Sequence, residues 1–210
     1  MDKVLREKVS IVTGAGRGIG KAISLNLANK GSVIAIIDIN EADGSEVCSE
    51  IVSNGGKATY FKCDVKNEDE IKQMVLGVIN KYGKVDILVN NAGIVDFANL
   101  WETPTEVWDN IMGINLRGSF LCTKHIVPYM INQKFGRIIN MSSAVGKQAL
   151  PMMSAYGASK AGIIAMTVAL AKEVAPYSVT VNAVCPGPID TTLWDESKKV
   201  LSGIFNITTA

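Results

Sequence analysis

A chain of 210 residues with 21 basic and 20 acidic side chains, net +1, suits one folded domain, since single cores grow to about 250 residues before chains divide. That balance gives no electrostatic pull toward nucleic acid or an anionic membrane, so the expected partner is a small molecule. The four cysteines (Cys48, Cys63, Cys122, Cys185) form no CxxC pair and His125 is the lone histidine, which excludes a usual zinc set and reads as reduced core thiols in a cytoplasmic protein.

The N-terminus runs from charges straight into a short apolar stretch with no signal-peptide core. Val9 to Thr13 is β-branched and ends in glycines, and Ile19, Ala22, Ile23 and Leu27 then recur at helical spacing, giving strand, glycine loop, helix. Further apolar runs predict strands over Val33 to Ile37, Ala58 to Cys63, Ile87 to Val89, Arg137 to Met141 and Val179 to Val184. Helical patterns fall between them, around Ala42 to Ser53, Glu68 to Lys81, Pro104 to Ile131 and Ala155 to Val174. Alternating helices and uninterrupted apolar strands predict a doubly wound α/β domain with a Rossmann-like parallel sheet covered on both faces. The longest apolar helical stretch, Ala161 to Ala171, is too short to span a bilayer. His125 reads as a packed helix residue.

The loop Thr13 to Gly20 reads TGAGRGIG. Glycines at a strand-to-helix turn let the backbone approach a phosphate, and the helix N-terminus adds amide donors and a positive dipole end. The GxGxxG register fails at Ile19, and a Walker loop would need glycine at Ala15 and a hydroxyl at Ala22, which disfavours ATP chemistry. Asp38 ends the second strand about 20 residues on, where a carboxylate can accept from an adenosine ribose or simply cap the next helix. As a ribose partner it repels a 2′-phosphate and favours NAD, while Arg17 in the loop partly offsets that and keeps NADP as the alternative. Tyr156 and Lys160 share one helix face, and a neighbouring ammonium is expected to lower the phenol's pKa from about 10.

These motifs, with NNAG at Asn90 to Gly93 and Ser143 thirteen residues before Tyr156, resemble the short-chain dehydrogenase/reductase family along nearly the whole chain. Thr13, Gly14, Gly18 and Gly20 match that family's TGxxxGxG, and Tyr156 with Lys160 match its YxxxK. The resemblance implies a catalytic set of Asn115, Ser143, Tyr156 and Lys160. For the cofactor it implies Gly14, Arg17, Gly18, Ile19, Gly20, Asp38, Asp64, Val65, Asn91, Ala92 and Gly93, with Tyr156 and Lys160 again. Pro186, Gly187, Ile189 and Thr191 match the family's PGxxxT segment at the nicotinamide end. Bland readings stand beside these: Asp64 as a turn aspartate, Asn91 as a sheet-end cap and Asn115 as a structural asparagine at a helix kink.

The implied reaction is hydride transfer between nicotinamide and a secondary alcohol or ketone, with NAD or alternatively NADP, in a homodimer or homotetramer. Leu193 and Trp194 lean the substrate toward a polyol, sugar or hydroxyketone, with Val95, Phe97, Ala144, Val145, Met152 and Met153 expected to line its pocket. A 3-oxoacyl thioester reductase and a catalytically impaired dinucleotide-binding module are the alternatives. Family members continue past the point matching Ala210, so a C-terminally shortened domain lacking the last strand is expected.

Overall fold

The computed structural model describes residues 3–189. Six strands form one parallel sheet in the order β3-β2-β1-β4-β5-β6: β1 (Val9–Thr13), β2 (Val33–Asp38), β3 (Lys57–Lys62), β4 (Ile87–Asn90), β5 (Gly136–Met141) and β6 (Val179–Val184). The connecting helices are α1 (Gly18–Asn29), α2 (Glu41–Ser53), α3 (Glu68–Tyr82), α4 (Thr105–Ile111), α5 (Ser119–Asn132) and α6 (Ser154–Val174). Each expected strand and helix is present, within a few residues at the ends. The expectation of a missing last strand, together with Thr191, Leu193 and Trp194, lies outside the described residues.

Successive residues of a strand point to opposite faces, and here each face has its own helices. Ile34, Ile36, Val12 and Val89 pack with Val47 and Ile51 on the α1 and α2 side. Ala35, Ile37, Ile11, Leu88, Ile138 and Val181 pack with Ile71, Met74, Val75, Leu121 and Ile126 on the α3, α5 and α6 side. A strand buried on both faces cannot alternate polar with apolar, which is why these segments read as continuous apolar runs.

Helix boundaries follow local chemistry. Asn40 caps α2 by accepting from Ala42 N (3.0 Å) and Asp43 N (3.2 Å). Asn67 caps α3, whose first turn carries Glu68, Asp69 and Glu70 and whose end is Gly83 at φ 75°. The long pattern from Pro104 to Ile131 is one helical run with a π-helical turn, Met112–Gly118, between α4 and α5. Asn115 sits in that turn.

His125 packs on α5, as expected of a helix residue. It is half-buried, with Nε2 2.9 Å from Glu68 Oε1, and Lys124 Nζ lies 2.8 Å from the same oxygen. Those two partners, Lys124 first, hold the Glu68 carboxyl well below the usual range. The neighbour that His125 meets across the helix interface is the Glu68 carboxylate of α3.

Strand order reverses between β1 and β4, so their carboxyl ends open into a crevice, the general ligand position of such sheets. The opposite end of this strand pair is tied by Asp86. Its Oδ2 accepts Val9 N at 2.9 Å, and Lys8 (3.1 Å) and Lys84 (3.0 Å) flank the carboxylate. Burial pushes the Asp86 pKa up, but the Val9 amide and the two ammonium groups outweigh it and leave it below 3.8. A carboxyl depressed on folding stabilises above its unfolded pKa and loses that contribution as pH falls through its folded value. Asp86→Asn should therefore cost about 1–3 kcal/mol at pH 7, read as a lower urea midpoint, with the gap to wild type narrowing as pH falls below 3.8. Equal midpoints at pH 7 would remove Asp86 from this role.

Candidate active site

The first turn of α1 is built differently from its neighbours. Its N-cap, Arg17, makes no side-chain cap hydrogen bond and no acidic residue lies in the turn, whereas asparagines cap α2 and α3. Its leading amides and the positive dipole end are thus free to meet an anion. Gly14 (φ 59°) and Gly18 (φ 53°) hold left-handed backbone that favours glycine. A Cβ on Gly20 would collide with the Gly14 carbonyl and lie 2.6 Å from Asn91 Nδ2, so Gly20 packs behind the loop and does not line the cavity in front of it.

That loop is clasped to the end of β4. Thr13 Oγ1 accepts Asn91 N and Ala92 N, both at 3.0 Å, and Asn91 Nδ2 donates to the carbonyls of Thr13 and Gly14, also at 3.0 Å. Asp38 closes the other side. Its Oδ2 accepts Gly16 N at 2.8 Å and its Oδ1 accepts Asn40 N at 3.0 Å, so the helix-capping role falls to Asn40 and the Asp38 carboxylate braces the loop.

A cavity of about 720 Å³ runs along these strand ends, lined by Gly14, Arg17, Gly18, Ile19, Asp38, Asp64, Val65, Asn91, Ala92 and Gly93. It continues past Ser143, Tyr156 and Lys160 to Pro186, Gly187 and Ile189. Of the anticipated pocket wall, Val95, Phe97, Ala144, Val145 and Met153 are present, but Met152 is not; it holds φ 61° at the turn before α6, which directs its side chain elsewhere. The motif match marks Thr13 but not its clasping bonds, and Lys66, Asn110, Gln148 and Leu150 line the cavity with no sequence signature. Asp64 Oδ1 accepts Lys66 N at 2.9 Å, so it is a turn aspartate as well as a lining residue. Cys63 also lines the cavity, but burial pushes its thiol up to about 12, which removes it as a nucleophile.

At the inner end, Asn115 is fully buried. Its amide accepts Ile94 N (2.8 Å) and donates to Ile94 O (2.9 Å) and Ser159 Oγ (3.0 Å), holding the loop after β4 against α6. It stands behind Gly93, where a Cβ would lie 3.3 Å from Asn115 Oδ1 and 3.4 Å from Lys160 Nζ. Lys160, 4% exposed, donates to Met141 O at 2.8 Å and has no carboxylate partner among the described residues. Burial therefore lowers its pKa to about 8.

Tyr156 departs from the expected lowering. Burial raises its pKa above 10, offset in part by a hydrogen bond with Ser143. The Lys160 ammonium lies 5.5 Å from the Tyr156 ring centroid and is engaged by Met141 O, so helical spacing alone does not deliver the ion pair.

A family model described as short chain dehydrogenase matches residues 8–201. The chain belongs to the short-chain dehydrogenase/reductase family. It is 41% identical over 201 residues to a short-chain dehydrogenase/reductase of Armillaria gallica, covering 94% of this chain and 77% of that one. A 3-oxoacyl-[acyl-carrier-protein] reductase of Thermotoga maritima is 42% identical over 192 residues, covering 91% and 78%. Among solved structures, an NAD+-bound xylitol dehydrogenase superposes with a TM-score of 0.92 at 35% identity, covering 96% of this chain and 78% of that one. The protein is thus an oxidoreductase acting on CH-OH groups of a small molecule, in a family that binds a nicotinamide dinucleotide. No helix among the described residues is long and apolar enough to cross a membrane.

The buried Lys160 generates a test by its cost. A lysine whose pKa falls on folding is penalised at every pH below its folded value, and the penalty fades as pH rises from there to its unfolded value. Lys160→Met should raise the unfolding free energy at pH 7 by on the order of 2 kcal/mol after the lost bond to Met141 O is counted, seen as a higher thermal midpoint. The gain should shrink between pH 8 and pH 10.5. A midpoint unchanged or lowered at pH 7 would contradict a desolvated charge at this position.

Proposed function

We propose that the protein is an NAD-dependent oxidoreductase interconverting a secondary alcohol and a ketone, with Ser143, Tyr156, Lys160 and Asn115 as its catalytic set. The observation that carries this is the convergence of Ser143, Tyr156 and Lys160 on one wall of the cavity, beside a glycine loop whose helix amides are uncapped. The lining residues fit the dinucleotide: the loop can hold its phosphates, Asp38 its adenosine ribose, Asp64 and Val65 its adenine, and Pro186, Gly187 and Ile189 its nicotinamide end, where the family's pattern adds Thr191. When bound, the dinucleotide takes or gives the hydride.

The protein's own contribution is at oxygen. In oxidation Tyr156 removes the hydroxyl proton, and in reduction it returns one to the developing alkoxide. Ser143, which shares a hydrogen bond with Tyr156, holds that oxygen in a preorganised site. Lys160 supplies positive charge near the phenol, positions the nicotinamide ribose and, with a pKa near 8, can exchange a proton at neutral pH. Asn115 secures the loop above Lys160, and in the family's pattern it also holds a water leading to solvent.

The substrate lean is toward a small polar molecule such as a polyol, sugar or hydroxyketone, supported by the resemblance to xylitol dehydrogenase. A 3-oxoacyl thioester is the second reading, favoured by the 42% identity to the Thermotoga maritima reductase. An inactive dinucleotide-binding module is opposed by the intact Ser143, Tyr156 and Lys160. Phe120 and Val168 stand 47% and 51% exposed on α5 and α6, which supports self-association of that face in a dimer or tetramer. The free cysteines support a reducing, cytoplasmic setting.

Tyr156→Phe should abolish turnover of any alcohol or ketone while NADH fluorescence titration stays near wild type; substantial residual turnover would take Tyr156 out of the proton-transfer role. Asp38→Ala should weaken NADH binding and bring NADPH binding closer to it, since a carboxylate facing a 2′-phosphate disappears. An unchanged ratio of the two affinities would move cofactor choice to other residues.

A further inference from the structure

One polar side chain at the substrate end of the cavity has no task in the chemistry above. Gln148 lines the cavity, on the turn that follows Ser143. Apart from Ser143 and Tyr156, the walls near it are apolar, with Val95, Phe97 and Met153, and the Ala98–Met153 bridge ties the Phe97 segment to the start of α6.

The backbone of Gln148 is held while its side chain is not. Gln148 N donates to Ala144 O at 2.9 Å, Lys147 N to the same oxygen at 2.9 Å and Gly146 N to Ser143 O at 3.0 Å. Ala144 N donates to Pro186 O at 2.8 Å, joining the turn to the segment across the cavity. The turn is also pressed on α6, for a Cβ on Gly146 would lie 2.7 Å from the Lys160 carbonyl carbon. No hydrogen bond engages the Gln148 amide among the described residues, so it is available to a ligand at a fixed distance along the chain from the oxygen-binding Ser143.

We propose that Gln148 reads a second oxygen on the substrate, one or two carbons from the carbon that reacts. A neutral amide both donates and accepts, so it can take a hydroxyl or a carbonyl oxygen there, while the apolar walls take the carbon skeleton. The amide carries no charge and Lys160 is engaged by Met141 O, so an uncharged substrate fits this end better than an acid. The inference rests on the polar-substrate reading proposed above and makes Gln148 a specificity-determining residue for it.

The test pairs two alcohols that differ only in the second oxygen, butane-2,3-diol and butan-2-ol, assayed with NAD on wild type and Gln148→Leu. Wild type should favour the diol by about tenfold or more in kcat/KM, the worth of one good hydrogen bond. In Gln148→Leu the diol figure should fall about tenfold, mainly through KM, with butan-2-ol within about twofold, which also reports that the variant is folded. A wild-type enzyme with no preference for the diol overturns the polar-substrate reading itself. A preference that survives in Gln148→Leu, or an equal loss on both alcohols, overturns the role of Gln148 and leaves that reading standing.

Discussion

The clasp between Thr13 and Asn91 is the constraint on which the site depends. One hydroxyl takes two backbone amides from the end of β4, and one side-chain amide takes two carbonyls from the end of β1. The two strands at the point of reversal are thereby locked at their open ends, as Asp86 locks them at the other. Everything that faces the cavity inherits its position from this pairing. The glycine loop leaves β1, the Asn91–Gly93 segment leaves β4, and the latter is passed by Asn115 to α6.

The arrangement places an expensive group where it is useful. Lys160 is buried without a counter-ion among the described residues, and its lowered pKa reflects that cost. It is tolerated because α6 is anchored along its length, by Asn140 to Thr167 and by Ser142 to the Lys160 carbonyl. A rigid frame thus carries a local instability, a common feature of sites that must titrate near neutral pH. The raised pKa of Tyr156 has the same origin: burial favours the neutral phenol, and the Lys160 ammonium lies 5.5 Å from the ring centroid.

Much of the frame was legible in the chain. The continuous apolar runs named the strands because burial on both faces demands them, and TGAGRGIG, NNAG, Ser143 and the Tyr156–Lys160 spacing marked the positions that meet at the strand ends. What could not be read were identities of neighbours. His125 has Glu68 as its partner, Met153 lines the pocket while Met152 does not, and Gly20 packs against Gly14 and does not line the cavity. Each depends on which segment lies opposite, at sequence separations that periodicity does not sense.

The sequence by itself determined the alternation of strand and helix, the family resemblance and the candidate residues, because hydrophobic period and glycine spacing are local and survive without coordinates. Only the tertiary structure decided how those residues are wired. The π-helical turn presents Asn115 to Ile94 and Ser159, and the Met141 carbonyl draws Lys160 away from Tyr156. Gln148 joins the cavity wall through a turn pressed against α6. Those outcomes are set by hydrogen-bond partners and burial contributed by distant segments, and such contacts exist only once the sheet has closed the chain on itself.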